Sequence, residues 1–323
     1  MDGLGSPSSP RNCSYEAHFQ YYLFPVVYTI VFVLGLTGNI LALCIFIKNT
    51  KNSSPSFIYI ANLFVVDIIY ICTLPFRIHY HMKKNNWVFG DITCRITGTL
   101  YFANIYISVT FLSLICMDRY IAVVYPRKYL RMRGTKIPRM TSALVWAVAL
   151  SIMLPLIFSG SLNNIRANNM TACFENFDAE AYSKKMAVYH IMPFLFGFLI
   201  PFTIIIIFYP LAAKKIAQLK NNIHKEKALR MIWVIMVISI LCFVPYHITH
   251  LLYFLARLDF IQNCAFGNFL YKIRRVTMAL VSLNCCLDPL IYFFATNKFK
   301  LNYGRRRRAL QNVYSIAWHP TEG

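Results

Sequence analysis

The residues best suited to chemistry in this chain are ionisable groups set inside long apolar runs. Asp67 closes Leu63-Phe64-Val65-Val66-Asp67, Asp288 opens Asp288-Pro289-Leu290-Ile291-Tyr292, and Asp118-Arg119-Tyr120 ends a run that begins near Cys94. Charge inside hydrocarbon is costly and is usually retained for function. Arg77 stands two residues past Pro75, and Lys272, Arg274 and Arg275 open the last run. His247 and His250 are three apart and share a helical face, whereas Arg274 and Arg275 are adjacent, so only one of them is expected to point inward. Several cations without nearby acids would suit an anionic ligand, a phosphate above all. No metal-ligand spacing, phosphate-cradling glycine loop or nucleophile-base pairing argues for an enzyme. His247 and His250 lack a third ligand for a metal, and their titration range leaves proton sensing as an alternative.

Composition says what must hold these groups. Of 323 residues 58% are hydrophobic and 14% are charged, against about 25% charged in soluble domains, so the chain is integral to a membrane. Seven apolar segments are expected at about 23–47, 55–80, 91–125, 139–159, 188–213, 228–256 and 269–295. The expected fold is therefore an all-α bundle. Residues 1–22 form an outer tail, 23–295 the seven-helix domain, and 296–323 a short amphipathic cytoplasmic helix and tail. The first segment is long enough to span, so no removable leader is expected. As one helix, Cys94 to Arg119 covers about 38 Å, more than a hydrocarbon core. Asn104 and Ser108, four apart on it, share a face that should look into protein. Pro75, Pro155, Pro201, Pro245 and Pro289 lie inside five segments, where neighbours can satisfy the carbonyls they free.

The net charge of +21 is not a nucleic-acid signature, because the basic residues gather in short loops. The loops at 48–54, 127–139 and 214–230 and the tail after 295 hold 20 Lys or Arg, against 10 on the other side. That bias places the amino terminus outside the cell and the carboxyl terminus in the cytoplasm. Asn12 and Asn169 then become outer glycosylation acceptors. Cys13, Cys94, Cys173 and Cys264 become outer cysteines with three ways to pair. No internal repeat supports a transporter, the rival class of membrane protein.

A cysteine, a polar inner stripe and Asp118-Arg119-Tyr120, followed by Ile121-Ala122-Val123-Val124-Tyr125-Pro126, resemble the third helix of a rhodopsin-like (class A) G protein-coupled receptor. Gly38-Asn39, Asp67, Trp146, Pro201, Tyr209 and Phe243-Val244-Pro245-Tyr246 match further landmarks over residues 20–302. Many members carry tryptophan where this chain has Phe243. Phe243, Tyr101-Phe102-Ala103-Asn104-Ile105-Tyr106, Asp288 and Trp87-Val88-Phe89-Gly90 resemble the branch of nucleotide (purinergic-type) and lysophospholipid receptors. The resemblance implies disulfides Cys94-Cys173 and Cys13-Cys264, and a structural sodium ion held by Asp67, Ser108, Asn284 and Asp288. It also implies coupling to a heterotrimeric G protein, with an arrestin as a further partner, at the plasma membrane. Asp118, Arg119, Tyr120, Tyr209, Phe243, Pro245 and Tyr292 would carry activation.

The ligand wall this implies is Arg77, Tyr101, Asn104, Tyr106, His247, His250, Arg274, Arg275 and Met278. Purinergic-type receptors carry His-x-x-Arg or His-x-x-Lys on helix six; here that pattern reads His247-Ile248-Thr249-His250. Met278 occupies a helix-seven arginine position and Gly98 a helix-three one. A polyphosphate would lose its strongest partners, so a lysophospholipid with one phosphate and an apolar chain is the expected ligand. Phe194, Phe198 and Tyr246 would add apolar wall. The alternative is a nucleotide, which the outer-loop text Ala256-Arg257-Leu258-Asp259-Phe260 favours.

Overall fold

The computed structural model describes residues 15–48, 55–125, 129, 136–158, 163–165, 170–173, 193–218, 223–258, 260–261 and 263–295. Seven helical spans follow one another. They are α1 (Gln20–Lys48), α2 (Pro55–Ile71 and Leu74–Met82), α3 (Asp91–Val124) and α4 (Lys136–Phe158). Then come α5 (Pro193–Leu199 and Ile200–Ala217), α6 (Ile223–Ile238, Ser239–Phe243 and Val244–Arg257) and α7 (Cys264–Ser282 and Asn284–Ala295). Among the described residues six spans are long and apolar enough to cross a membrane by composition alone. The seventh, α7, is diluted by Lys272, Arg274 and Arg275 and interrupted at Leu283.

Several boundaries differ from the expected ones: α4 starts at Lys136, α5 runs on to Ala217 and α6 starts at Ile223 rather than near 228. The first helix starts at Gln20, inside the stretch 1–22 assigned to the tail. The seventh starts at Cys264 rather than near 269, because Asn263 caps it: its Oδ1 accepts from Phe266 N at 3.0 Å. The fold also contains one element outside an all-α reading. Asn163–Ile165 (β1) and Thr171–Cys173 (β2) pair antiparallel, with Asn163 opposite Cys173. The hairpin is tied down by Trp87 N donating to Thr171 O at 2.8 Å, by Thr171 N donating to Asn86 Oδ1 at 3.0 Å, and by the Cys94-Cys173 disulfide. Short polar strands in a loop carry no hydropathy signal. Cys264 is disulfide-bonded. Cys13, Asn12 and Asn169 and the tail 296–323 lie outside the described residues.

The prolines bend the bundle in ways the backbone can satisfy. Proline lacks an N–H and collides with the carbonyl four residues back, and at Pro75, Pro201 and Pro245 the preceding turn widens or breaks, whereas Pro155 sits inside a continuous α-helix. Pro201 and Pro245 each follow a π-helical turn, Pro193–Leu199 and Ser239–Phe243. Pro75 follows a break at Cys72 and Thr73, where Thr73 Oγ1 donates to Tyr70 O at 2.7 Å. Pro289 deprives the Cys285 carbonyl of its donor, and Asn39 Nδ2 replaces it at 2.7 Å while also reaching Gly35 O at 2.9 Å. Gly38 lets α1 come this close: a Cβ there would stand 3.2 Å from Pro289 Cγ.

Helix α3 is central, packed against α2, α4 and α5 and touching α6, while α7 closes the bundle against α1 and α6. Lipid is as apolar as leucine, so packing and hydrogen bonds between helices hold such bundles, each bond contributing about 0.6–2 kcal/mol. Here Trp146 Nε1 donates to Asn62 Oδ1 at 2.8 Å, Tyr59 Oη meets Thr141 Oγ1 at 2.8 Å, and Thr249 Oγ1 meets Thr277 Oγ1 at 2.7 Å. Leu144, Val148 and Ile152 on α4 are exposed at helical spacing, a lipid-facing stripe. Replacing Asn39 with Ala strands the buried Cys285 carbonyl. The expected loss is about 1–3 kcal/mol, read as a lower thermal-unfolding midpoint of the detergent-purified protein. An unchanged midpoint would mean that another donor serves that carbonyl.

Candidate functional site

Three clusters of polar groups lie one above another in the bundle. The outermost is cationic. The Arg77 guanidinium sits 5.0 Å above the Tyr101 ring, with Nη2 donating to Thr97 O at 3.2 Å. Tyr101, itself buried, donates its hydroxyl to Met278 O at 3.3 Å, which links Arg77 on α2 to the inner face of α7. Arg274 reaches α6: its Nε donates to His250 Nδ1 at 3.2 Å and its guanidinium lies 4.8 Å from the Tyr253 ring. Arg275, only 3% exposed, lies 4.9 Å over Tyr271 and donates to its hydroxyl at 2.7 Å. The adjacent arginines take different partners, Arg274 on α6 and Arg275 on its own helix. Arg77 and Arg274 pair with no carboxylate among the described residues; rings and neutral acceptors hold them. Lys272 is exposed.

Below this cluster the wall becomes aromatic. His247 is buried, stacked on Phe198 at 3.7 Å between centroids, with Tyr106 at 5.6 Å, Phe194 at 6.2 Å and Tyr246 at 5.0 Å. Neither ring nitrogen of His247 has a hydrogen-bond partner among the described residues. His250 stacks on Tyr246 at 5.3 Å. The π-helical turn of α5 brings Gly197 so near α3 that a Cβ there would lie 2.7 Å from Tyr106 Cδ1.

The middle cluster is acidic. Asp67 Oδ1 accepts from Asn104 Nδ2 at 2.8 Å and from the Cys285 thiol at 3.3 Å. Asn104, assigned to the ligand wall by sequence, therefore serves Asp67 instead, because a fully buried carboxylate needs a donor and α3 places this amide opposite it. Asp67 Oδ2, both Asp288 oxygens, Ser108 Oγ and Asn284 Nδ2 are buried without a hydrogen bond among the described residues. Asp67 and Asn284 are the polar neighbours of Asp288. Carboxylate and hydroxyl oxygens gathered around unmet charge are a donor set suited to a hard cation. Cys285 was missed by sequence reasoning, although it lies three residues before Asp288 and so on the same helical face.

At the cytoplasmic end Arg119 pairs with Asp118 at 2.9 Å, and Tyr129 donates to the same carboxylate oxygen at 3.4 Å. Tyr120 packs edge-on against Phe208 at 5.0 Å. Tyr209 is fully buried beside Cys116. Phe243 is fully buried at the end of the α6 π turn, one residue before Val244 and Pro245. Position 292 lies in the last turns of α7, and the Tyr292 side chain is outside the described residues.

A seven-helix bundle with buried acids at its middle and Asp-Arg-Tyr at one end defines a class. The 7 transmembrane receptor (rhodopsin family) profile matches residues 38–292, and the chain belongs to that family. It is similar to lysophosphatidic acid receptor 6 of Gallus gallus, 35% identical over 290 residues covering 88% of this chain and 94% of the relative. A purinoceptor of Gallus gallus is 33% identical over 324 residues, covering 97% of this chain and 89% of the relative. Lysophosphatidic acid receptor 4 of Homo sapiens is 34% identical over 308 residues, covering 93% and 81%. The protein is thus a multi-pass membrane protein and a G protein-coupled receptor of the nucleotide and lysophospholipid branch, and not an enzyme.

Changing Gly197 to Ala forces the Tyr106 ring away from α5. Overpacking of this kind costs about 1–3 kcal/mol, so the expected result is a lowered unfolding midpoint, and the same substitution should cost less in a Tyr106→Ala background. A midpoint equal to wild type would show that the ring has room to move.

Proposed function

We propose that the receptor responds to an extracellular lysophospholipid, with the phosphate held by Arg77 and the α7 arginines and the acyl chain lying along the aromatic wall. The observation that carries this reading is the layering itself. Arg77 and Arg274 lack acid partners among the described residues and lie above an aromatic wall of Tyr106, Phe194, Phe198 and Tyr246. A cation balanced only by rings and neutral acceptors keeps its charge for a ligand, and charge-assisted bonds to phosphate are about twice as strong as neutral ones. Relatives named as lysophosphatidic acid receptors favour the same reading, and the similarity to the purinoceptor makes a nucleotide the competing ligand.

The amino terminus is outside the cell at the plasma membrane, and Asn12 and Asn169 are the acceptors for glycosylation there. The resting receptor keeps Arg119 on Asp118. A ligand that binds the active arrangement more tightly shifts the population, α6 swings about Phe243 and Pro245, and Arg119 turns toward Tyr209, Tyr292 and a heterotrimeric G protein. Tyr120 keeps the end of α3 against α5 while this happens. An arrestin would use the same open face. Asp67 Oδ2, Asp288, Ser108 Oγ and Asn284 would hold a sodium ion in the resting state, which would neutralise the paired carboxylates.

In cells expressing the receptor, lysophosphatidic acid and related lipids should activate a G protein, and Arg77→Ala should weaken that response at least about tenfold, the value of one desolvated cation contact. A response to nucleotides alone would reverse the ligand assignment. Sodium chloride, compared with choline chloride, should raise the unfolding midpoint of the purified wild type and leave Asp67→Asn unmoved. Equal shifts in both proteins would remove the ion from the site.

A further inference from the structure

The segment before α1 does not merely trail from the bundle. Its Tyr15 ring stacks on Tyr271 of α7 at 6.1 Å and meets Tyr253 of α6 edge-on at 6.1 Å, while Tyr253 and Tyr271 are 5.8 Å apart. Three rings from three segments therefore close a triangle at the outer mouth. Two further contacts place the tail there. Glu16 N donates to Asn268 Oδ1 at 3.2 Å, and Gly267 is bare where the ring lies: a Cβ on it would stand 2.8 Å from the Tyr15 hydroxyl and 3.0 Å from Cε1. Ala17 and Gln20, just beyond, are buried.

The other two rings of this triangle are the ones that carry the arginines. Tyr253 faces the Arg274 guanidinium and Tyr271 faces that of Arg275. An unrestrained arginine has much rotamer freedom to lose when it captures an anion, and a group already held in place loses less. Any rotation of Tyr253 or Tyr271 would move the face on which its arginine rests. Tyr15 blocks that rotation from the solvent side, and it also bridges α6 to α7.

We propose that Tyr15 is a positioning residue, a wedge from the amino-terminal segment that locks Tyr253 and Tyr271 and so presets Arg274 and Arg275 for the anionic group of the ligand. The ligand part of this proposal rests on the function proposed above; the wedge itself does not. Tyr15→Phe keeps the stack and should behave as wild type. Tyr15→Ala removes it.

The test uses the full-length receptor at matched surface expression. Hydrogen exchange of residues 264–275 without ligand should quicken in Tyr15→Ala and not in Tyr15→Phe. Activation by lysophosphatidic acid should shift to about tenfold higher concentration in Tyr15→Ala, on the scale of one lost cation-ring contact. In an Arg274→Gln, Arg275→Gln background the same substitution should add less than about twofold, because the groups it positions are gone. Unchanged exchange in Tyr15→Ala, or a full-sized shift in the arginine-free background, overturns the proposal. A wild type silent to lysophospholipids but showing the exchange difference would sink the ligand reading alone and leave the wedge standing.

Discussion

In hydrocarbon every backbone group freed from a helix must find a partner inside the protein, and the rest of this bundle depends on how that constraint is met. Pro289 frees the Cys285 carbonyl, and the side chain of Asn39 reaches across from α1 to serve it. That one bond joins the first helix to the last and explains why Gly38 must be small. Pro201 and Pro245 are handled by widened turns, and those turns set the packing of the aromatic wall. The α5 turn carries Gly197 against Tyr106, and the α6 turn ends at Phe243, one helical turn below His247.

Charge is sorted by depth. The outer cations are held by aromatic rings and neutral acceptors, whereas Asp67 in the middle is held by an amide from α3 and a thiol from α7. Arginine and carboxylate do not meet until Arg95 with Asp91 at the outer rim and Arg119 with Asp118 at the cytoplasmic end, among the pairs described. Had Arg77 or Arg274 been paired with an acid, an anionic ligand would have had to break that pair first. Holding cations on ring faces keeps them in place at about 0.5–2 kcal/mol each, without cancelling their charge.

The similarity to lysophosphatidic acid receptors and to a purinoceptor at nearly equal identity has a physical basis. Most of the landmark positions serve the bundle: the proline turns, the Asp67 cluster, the Trp146 bond to Asn62 and the Cys94-Cys173 tie. The few side chains of any ligand site contribute little to overall identity.

Seven apolar runs, the prolines and the buried acids were legible in the sequence, because hydropathy and backbone chemistry are local properties that any bilayer imposes. The short hairpin and the early start of α7 were not, since polar strands and a capped polar turn leave no apolar signature. Pairings between distant residues also escaped. Asn104 turned out to serve Asp67, Cys285 joined the same carboxylate, and Tyr15 came to rest on Tyr253 and Tyr271. Helical spacing tells which residues share a face, but which face meets which neighbour is decided only when kinked helices pack together and each buried polar group takes the partner within its reach.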